Sequence, residues 1–199
     1  MQVLKYPHPI LKYKTKPIAK INQKLRDLIA EMFAVMYDTD GVGLAANQVG
    51  VPLRLFVMNP TGNRENKEEE YVFINPVILK RQGTAEDEEG CLSYPDIHVP
   101  VVRSECIDFE GIAVDGSLQQ FQWKGHSARV VQHELDHLNG VGFVERLSST
   151  VLLKVQQDLD DLRTEFEGNQ RLGFVPSDAE IVRQIAELES EWIETVERQ

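Results

Sequence analysis

His133, Glu134 and His137 are the residues of this chain whose types and spacing best suit chemistry. On a helix, side chains at positions i and i+4 lie on one face, with their Cβ atoms roughly 6 Å apart. Two imidazoles in that relation can bind one divalent ion, and the glutamate can reach a water molecule on the ion without being a ligand. The plainer alternative is a buried helix whose histidines only form hydrogen bonds.

The third ligand separates the classes of metal site. A metzincin requires another histidine three residues beyond the HExxHxxG motif, where this chain has Phe143. A thermolysin-like site requires a downstream glutamate on another helix, for which Glu165 and Glu167 can be nominated although nothing marks them. Upstream lies Cys91, and one thiolate with two imidazoles leaves a fourth tetrahedral position for water, as in a catalytic site.

Length and composition favour one domain with an appendage, because 199 residues can form one good core. No apolar run approaches the ~20 residues that a membrane helix requires, and residues 1–11 show no secretion or transit signal. The two cysteines, Cys91 and Cys106, do not make a disulfide framework. We therefore expect a cytoplasmic protein that does not associate with a membrane.

The net charge of −11 argues against binding DNA or other nucleic acid through phosphates. From Ser148 onward there are twelve Asp and Glu against five Lys and Arg, so about −7 of the total lies in the last quarter. Most of this charge is accounted for by the solvated faces of helices.

The elements that must position these residues form an α+β order rather than a repeating βαβ order. Asn22 can cap a helix that runs to about Asp38, and Gly140 is a plausible C-terminal stop for the HExxH helix. Strands are predicted, with an exposed charged loop at 61–70 between the first two, at 53–58, 71–79 (broken by Pro76), 99–109 and 121–123. We expect small mixed or antiparallel sheets packed around a central HExxH helix.

A segment of small residues, 41–50, contains Gly41, Gly43 and Gly50. A phosphate-binding loop is disfavoured, because the segment lacks Gly-Lys-Ser/Thr and follows a helix. We expect its glycines to allow a close approach of backbone. Gln48 can then supply an amide side chain to the site.

Three separated segments, GVGLAANQ at 41–48, EGCLS at 89–93 and QHELDH at 132–137, resemble the motifs of the peptide deformylase family. They occur in that family's order, and with the N-terminal residues the resemblance extends to about residue 147. It implies removal of the N-formyl group from the formyl-methionine of newly synthesised proteins, with release of formate. Residues 1–147 are thus predicted to be the catalytic domain, and 148–199 an acidic C-terminal helical extension.

The resemblance also implies a role for individual residues. The metal ligands would be Cys91, His133 and His137, holding Fe²⁺ in the cell and Zn²⁺, Ni²⁺ or Co²⁺ in purified protein. Water activated by the metal would attack the formyl carbon with Glu134 as general acid and base. The Gln48 amide and the Leu92 backbone N–H would polarise the formyl oxygen.

The predicted substrate contacts are Val42, Gly43, Leu44, Gly90, His98, His126, Arg129 and Val130. Gly43 and Gly90 lack side chains, so substrate backbone can lie alongside them in strand-like fashion. His126 and Arg129, together with Asp87 and Ser127, stand where many family members have hydrophobic residues around the methionine pocket, which leaves side-chain preference open. His98 stands where some relatives carry an arginine, or is a surface histidine at a strand end. Arg103 is predicted to pair with Glu89 and hold the cysteine loop.

Two apolar stripes follow the motifs, with a capping box at Ser177 and Glu180 before the second. Their members are Val151, Val155, Leu159, Leu162 and Phe166, then Ile181, Ile185, Leu188, Trp192 and Val196. A helical hairpin is predicted, packed on the body as a monomer or forming a dimer contact. The family resemblance implies a transient ribosome contact through a C-terminal helix, but the acidic residues argue against RNA contact there.

Two alternatives remain open from the sequence. A zinc endopeptidase would keep the HExxH chemistry with another third ligand, and Cys91→Ala would then leave metal binding largely intact. A metal-free binding module would require damage to the motifs, and none is visible in the sequence.

Overall fold

A computed structural model describes the backbone of residues 1–197 and the side chains of residues 1–192. The helices are α1 Gln23–Asp38, α2 Gly125–Leu138, α3 Ser149–Lys154, α4 Gln156–Arg171 and α5 Asp178–Glu197. The strands are β1 Gly43–Ala45, β2 Leu55–Met58, β3 Tyr71–Gln82, β4 Ala85–Cys91, β5 Tyr94–Arg103, β6 Cys106–Ile112 and β7 Leu118–Lys124.

The strands form a five-stranded sheet of order β1-β2-β3-β6-β7 and a two-stranded β4–β5 hairpin. Neighbouring strands pair antiparallel throughout both sheets. The predicted α+β class is therefore confirmed.

Helix α1 begins where the sequence predicts, because the Asn22 side chain accepts a hydrogen bond from the Leu25 N–H at 2.9 Å. Its buried residues are Leu25, Leu28, Ile29, Met32 and Met36. They pack against β2, so the apolar face of the helix covers one side of the sheet.

The prediction of one strand over residues 99–109 is wrong, because β5 and β6 are separate strands in different sheets. Gln132 on α2 binds both backbone groups of Ser104, accepting from its N–H at 3.1 Å and donating to its carbonyl at 2.9 Å. The chain turns there instead of continuing the ladder. Pro76 does not end β3, which passes it with a register shift.

Strand β4 was not predicted from the sequence. Five of its seven residues, Ala85–Glu89, are Ala, Asp or Glu, which are depleted in strands. The strand forms because it pairs antiparallel with β5. Of its acidic side chains, Glu89 alone is buried.

Helix α2, which carries the HExxH residues, is buried over eleven of its fourteen residues. Its apolar side chains share a core with Phe56, Phe73 and Phe109 of the five-stranded sheet. Gly140 lies just past the helix with φ of +73°, a left-handed conformation that confirms the predicted stop.

The second predicted C-terminal helix is present as α5, whereas the first, expected along 151–166, is divided between α3 and α4 at Val155. The Val155 N–H donates to the Leu152 carbonyl at 3.2 Å, three residues back, so the regular α-helical pattern is interrupted there. Val155 and Leu159 pack with the β5 residues Tyr94 and Val99, whereas Trp192 joins the core beneath α1. Of the predicted capping box, the Ser177 hydroxyl accepts from the Glu180 N–H at 3.3 Å. The side chain of Val196 lies outside the described residues. No helix in the described part of the chain is long and apolar enough to cross a membrane.

Candidate active site

Three donor atoms converge where α2 meets the end of β4. The Cys91 Sγ lies 3.1 Å from the His137 Nε2, which lies 3.2 Å from the His133 Nε2. All ligand atoms of this group lie within 4.8 Å of one another. Bonds of ~2.0–2.3 Å in a tetrahedral site place ligand atoms about 3.3–3.6 Å apart, so the three residues fit a divalent ion after small shifts.

The thermolysin-like alternative does not fit the structure. Glu165 lines a separate cavity between α4 and the N-terminal residues. Among the described side chains, Cys91, His133 and His137 are the group of three that can hold an ion. The candidate for the third ligand is therefore Cys91 at the end of β4, upstream of the helix.

A buried charge network orients His133. The Glu89 Oε2 lies 3.1 Å from the His133 Nδ1, and Glu89 accepts hydrogen bonds from Arg103 and Arg129 at 2.5 Å each. Burial raises the pKa of Glu89, but hydrogen bonds from His133 and Arg103 outweigh it and lower the pKa to about 2. The carboxylate is thus ionised and holds the Nδ1 side of the ring, which leaves Nε2 facing Cys91 and His137. Burial lowers the pKa of His133, but Cys91 and Glu89 outweigh it and raise the pKa to about 10, so a metal ion would bind Nε2 in place of a proton. The predicted Arg103–Glu89 pair is confirmed.

His137 is held differently. Its backbone carbonyl accepts a hydrogen bond from the Asn47 Nδ2 at 2.6 Å, whereas its Nδ1 has no partner within the described residues. Burial lowers the pKa of His137 well below its ordinary value, and the neighbouring His133 adds to this shift. The ring is therefore neutral at pH 7, which is the form that binds a metal.

Glu134 is buried, and its Oε2 has no hydrogen-bond partner in the described part of the chain. Burial raises the pKa of Glu134 to about 7, so the carboxyl group can both take and return a proton near neutral pH. A Cβ on Gly43 would lie 2.5 Å from the Glu134 Oε1. The close approach that was expected of Gly43 is thus between its backbone and the Glu134 side chain.

Gln48 has a fixed amide orientation. Its Oε1 accepts from the Ala45 N–H at 2.8 Å, which turns its Nε2 towards the Ser93 hydroxyl at 3.2 Å and the Cys91 Sγ at 3.7 Å. The donor end of the amide therefore faces Cys91. Leu92 lies beside it in the turn between β4 and β5 and lines the same cleft.

The site opens into a cleft of about 660 Å³. Seven of the eight predicted substrate contacts line it: Val42, Gly43, Gly90, His98, His126, Arg129 and Val130. Leu44 does not, because its side chain is fully buried in the core beside α1.

The structure gives two of these lining residues a further role. The Arg129 guanidinium is occupied by Glu89 and by the carbonyls of Val101 and Ala85, at 2.5 and 2.9 Å. The His98 ring covers Gly90, where an added Cβ would lie 2.6 Å from it. Arg129 thus anchors the hairpin, and the space beside Gly90 is filled by His98.

Several cleft residues were not found from the sequence: Thr39, Asp40, Glu88, Tyr94, Pro95 and Asp96. Asp40 and Asp96 have positive φ angles of 55° and 63°, which turn the chain at the cleft edge. No motif marks them, and they are brought together only by the folding of the α1–β1 and β4–β5 segments. Asn47 lay inside a recognised motif, but nothing in the sequence points to its contact with His137.

A half-buried cysteine and two buried histidines beside a carboxyl group that titrates near neutral pH define a metal-dependent hydrolase site on an α+β fold. The sequence profile of the polypeptide deformylase family matches residues 1–152. The chain belongs to the peptide deformylase family, and it is an enzyme that removes the N-formyl group from newly synthesised peptides.

Individual relatives agree with this assignment. A peptide deformylase of Rhodopirellula baltica is 38% identical over 190 residues, covering 96% of this chain and 94% of that protein. Chloroplastic peptide deformylase 1B of Oryza sativa is 45% identical over 168 residues, covering 84% of this chain and 62% of that protein. The crystal structure of Arabidopsis thaliana peptide deformylase 1B with an inhibitor has a TM-score of 0.82 at 36% identity, covering 89% of this chain and 96% of that one.

Proposed function

We propose that Cys91, His133 and His137 hold the metal and that Glu134 moves the protons of deformylation. The observation that carries this assignment is the convergence of the three ligand atoms within 4.8 Å beside the unpartnered Glu134 Oε2. A divalent ion bound there supplies a Lewis acid that lowers the pKa of water from 15.7 towards roughly 7. Glu134, whose carboxyl group is buried beside these ligand atoms, is then the proton carrier of the site.

In this proposal Glu134 takes a proton from the attacking water and delivers it to the leaving amide nitrogen. Its pKa of about 7 suits both transfers at neutral pH. The Gln48 Nε2 and the Leu92 backbone N–H donate hydrogen bonds to the formyl oxygen as it becomes negative. Loss of one such donor typically lowers turnover on the order of a hundredfold.

We assign the walls of the cleft to substrate binding, with Val42 and Val130 contacting the methionine side chain. Both are apolar and line the cleft near Glu134, as expected for a pocket that takes an unbranched thioether. His126 and His98 are exposed cleft residues that contact the rest of the peptide. For Leu44, the buried side chain leaves only its backbone to contact substrate.

For the metal we propose Fe²⁺ in the cell, replaceable by Zn²⁺, Ni²⁺ or Co²⁺ in purified protein. A thiolate with two imidazoles also suits Zn²⁺, so the supply of metal in the cell decides which ion is bound. Iron held by Cys91 is prone to oxidation. The metal content of protein purified without oxygen tests this assignment. Finding zinc in that protein where iron is expected would contradict it.

We propose a cytoplasmic enzyme with a catalytic domain at 1–147 and an extension at 148–199. The buried Ile181 and Ile185 pack on the same chain, which favours a monomer over a dimer formed through that stripe. A transient ribosome contact near the nascent chain remains our proposal. The acidic extension is an unsuitable surface for binding RNA phosphates.

Formate release from formyl-Met-Ala-Ser, with the metal quantified in each sample, tests these roles. Glu134→Gln is expected to lower the rate at least about a hundredfold with the metal still bound, because the proton carrier is lost. Glu165→Gln, at an exposed residue remote from the ligands, is the matched control and should retain full activity. Full activity of a metallated Glu134→Gln variant would overturn the assignment.

A further inference from the structure

The N-terminal segment 4–15, here called the strap, crosses the back of all three motifs. The Leu4 N–H donates to the Gln48 carbonyl at 2.8 Å, and the Tyr6 N–H donates to the Ser93 carbonyl at 2.9 Å. The Thr15 N–H and hydroxyl both donate to the Leu138 carbonyl, at 3.0 and 2.9 Å. The strap thus joins the Gln48 segment, the cysteine turn and the end of α2.

Asn47 links the strap directly to a metal ligand. Its Nδ2 lies 2.6 Å from the His137 carbonyl and 3.5 Å from the carbonyl of Ile10 on the strap. Gly140, just past α2, packs its backbone so closely on the Lys12 carbonyl that a Cβ has no room. A shift of the strap would therefore be transmitted to the ligand-bearing end of α2.

The extension covers the outer face of the strap. Ile181 and Ile185 of α5 are 3% and 5% exposed and pack with Ile10 and Leu11, which are 1% and 2% exposed. Hydrogen bonds near both ends of the strap also connect it to the C-terminal helices. The Arg163 Nη2 donates to the Tyr6 hydroxyl at 2.7 Å, and the Tyr13 hydroxyl donates to Glu189.

The strap has little structure of its own with which to hold this position. Its regular element is the four-residue 3₁₀ turn Pro9–Lys12, and short turns of this kind are marginal without tertiary packing. Ile181 and Ile185 of α5 are the buried residues that pack with Ile10 and Leu11, with Phe166 and Val175 at the edge of the same cluster. Without that cover, the backbone bonds to the motifs would open more often.

We propose that α5 is a positioning element for the metal site, acting through Ile181 and Ile185 on the strap and through Asn47 on His137. The proposal rests on the proposed role of His137 as a ligand. Displacements of about 1 Å at a catalytic site can lower rates ~10²-fold, so a remote apolar contact can matter for the chemistry.

The test uses the full-length protein loaded with Co²⁺, whose absorption reports the thiolate ligand, and follows metal release to an excess of chelator. The Ile181→Ala/Ile185→Ala variant is expected to release the ion at least about tenfold faster. Its kcat is expected to fall by a larger factor than its KM rises. Val182→Ala, on the same helix at a residue 53% exposed, is the control, and Ile181→Val/Ile185→Val should restore near-normal release. All variants are compared at a temperature where circular dichroism shows them folded.

Release at the parent rate from a folded double-alanine variant would overturn the proposal and leave α5 as a stabilising appendage. If that variant does not fold, Ile185→Ala alone serves the same test, with release about threefold faster expected and parent-rate release overturning the proposal. Cys91→Ala distinguishes a failure of the α5 proposal from a failure of the ligand assignment. Parent-rate release from Cys91→Ala would refute the ligand assignment itself, whatever the α5 variants do.

Discussion

The two histidines proposed as metal ligands lie on one face of α2, yet different regions of the molecule hold them. On one side, His133 contacts Glu89, whose carboxylate is bound by Arg103 and Arg129. On the other side, His137 is held through its backbone by Asn47, behind which lie the strap and α5. The first region, the charge side, uses buried ions, whereas the second, the strap side, uses neutral hydrogen bonds and apolar packing.

This difference has consequences for robustness. Removing one partner of a buried ion pair leaves an uncompensated charge, which typically destabilises by about 3–5 kcal/mol. Losing one partner of a neutral buried hydrogen bond costs about 1–3 kcal/mol. On the charge side, the orientation of the His133 ring is fixed, and a substitution there is expected to lower the free energy of unfolding strongly. On the strap side, remote packing can adjust the position of His137.

Arg103→Met is expected to have the largest effect. Arg103 is 6% exposed and joins Glu89 to Asp136, so its loss leaves two buried carboxylates short of a partner. We expect the free energy of unfolding to fall by about 3–5 kcal/mol, measured by urea denaturation, together with weaker metal binding. Arg64→Met, in an exposed ion pair with Asp38, is the control and should change little. A loss no greater than that of the control would break the comparison.

Asn47→Ala is expected to have an intermediate effect on the strap side. The His137 carbonyl loses its shorter hydrogen bond, at 2.6 Å, and keeps the one from the Gly140 N–H at 2.9 Å. We expect a loss of about 1–3 kcal/mol in unfolding free energy with faster metal release. Because no charge is removed, the loss should not depend on salt. A marked salt dependence, or a loss as large as that of Arg103→Met, would show that the two regions do not differ as described.

Arg146→Ala is expected to have the smallest effect and sharpens the comparison within the charge side. Its guanidinium binds Asp136, but the side chain is 47% exposed. Exposed ion pairs contribute about 0–1 kcal/mol and are screened by salt, so we expect a loss within that range that shrinks in high salt. A loss exceeding that of Asn47→Ala would indicate that burial does not set the ranking.

Local patterns predicted some elements well and others poorly. Helix α1 and the stop at Gly140 were found because capping and glycine chemistry act over a few residues. Strand β4 was missed because its pairing with β5 overrides the low strand preference of acidic residues. The break between β5 and β6 was missed because it depends on Gln132, which is distant in sequence.

The sequence by itself determined which residues are candidates for the chemistry. Helical periodicity fixes the side-chain directions of His133, Glu134 and His137, and the resemblance of three motifs to one family singled out Cys91 as the third proposed ligand. Only the tertiary structure decided how that chemistry is held. Arg129 anchors Glu89, Asn47 binds the His137 carbonyl, and α5 covers the strap, because each contact joins residues far apart in the chain and depends on packing.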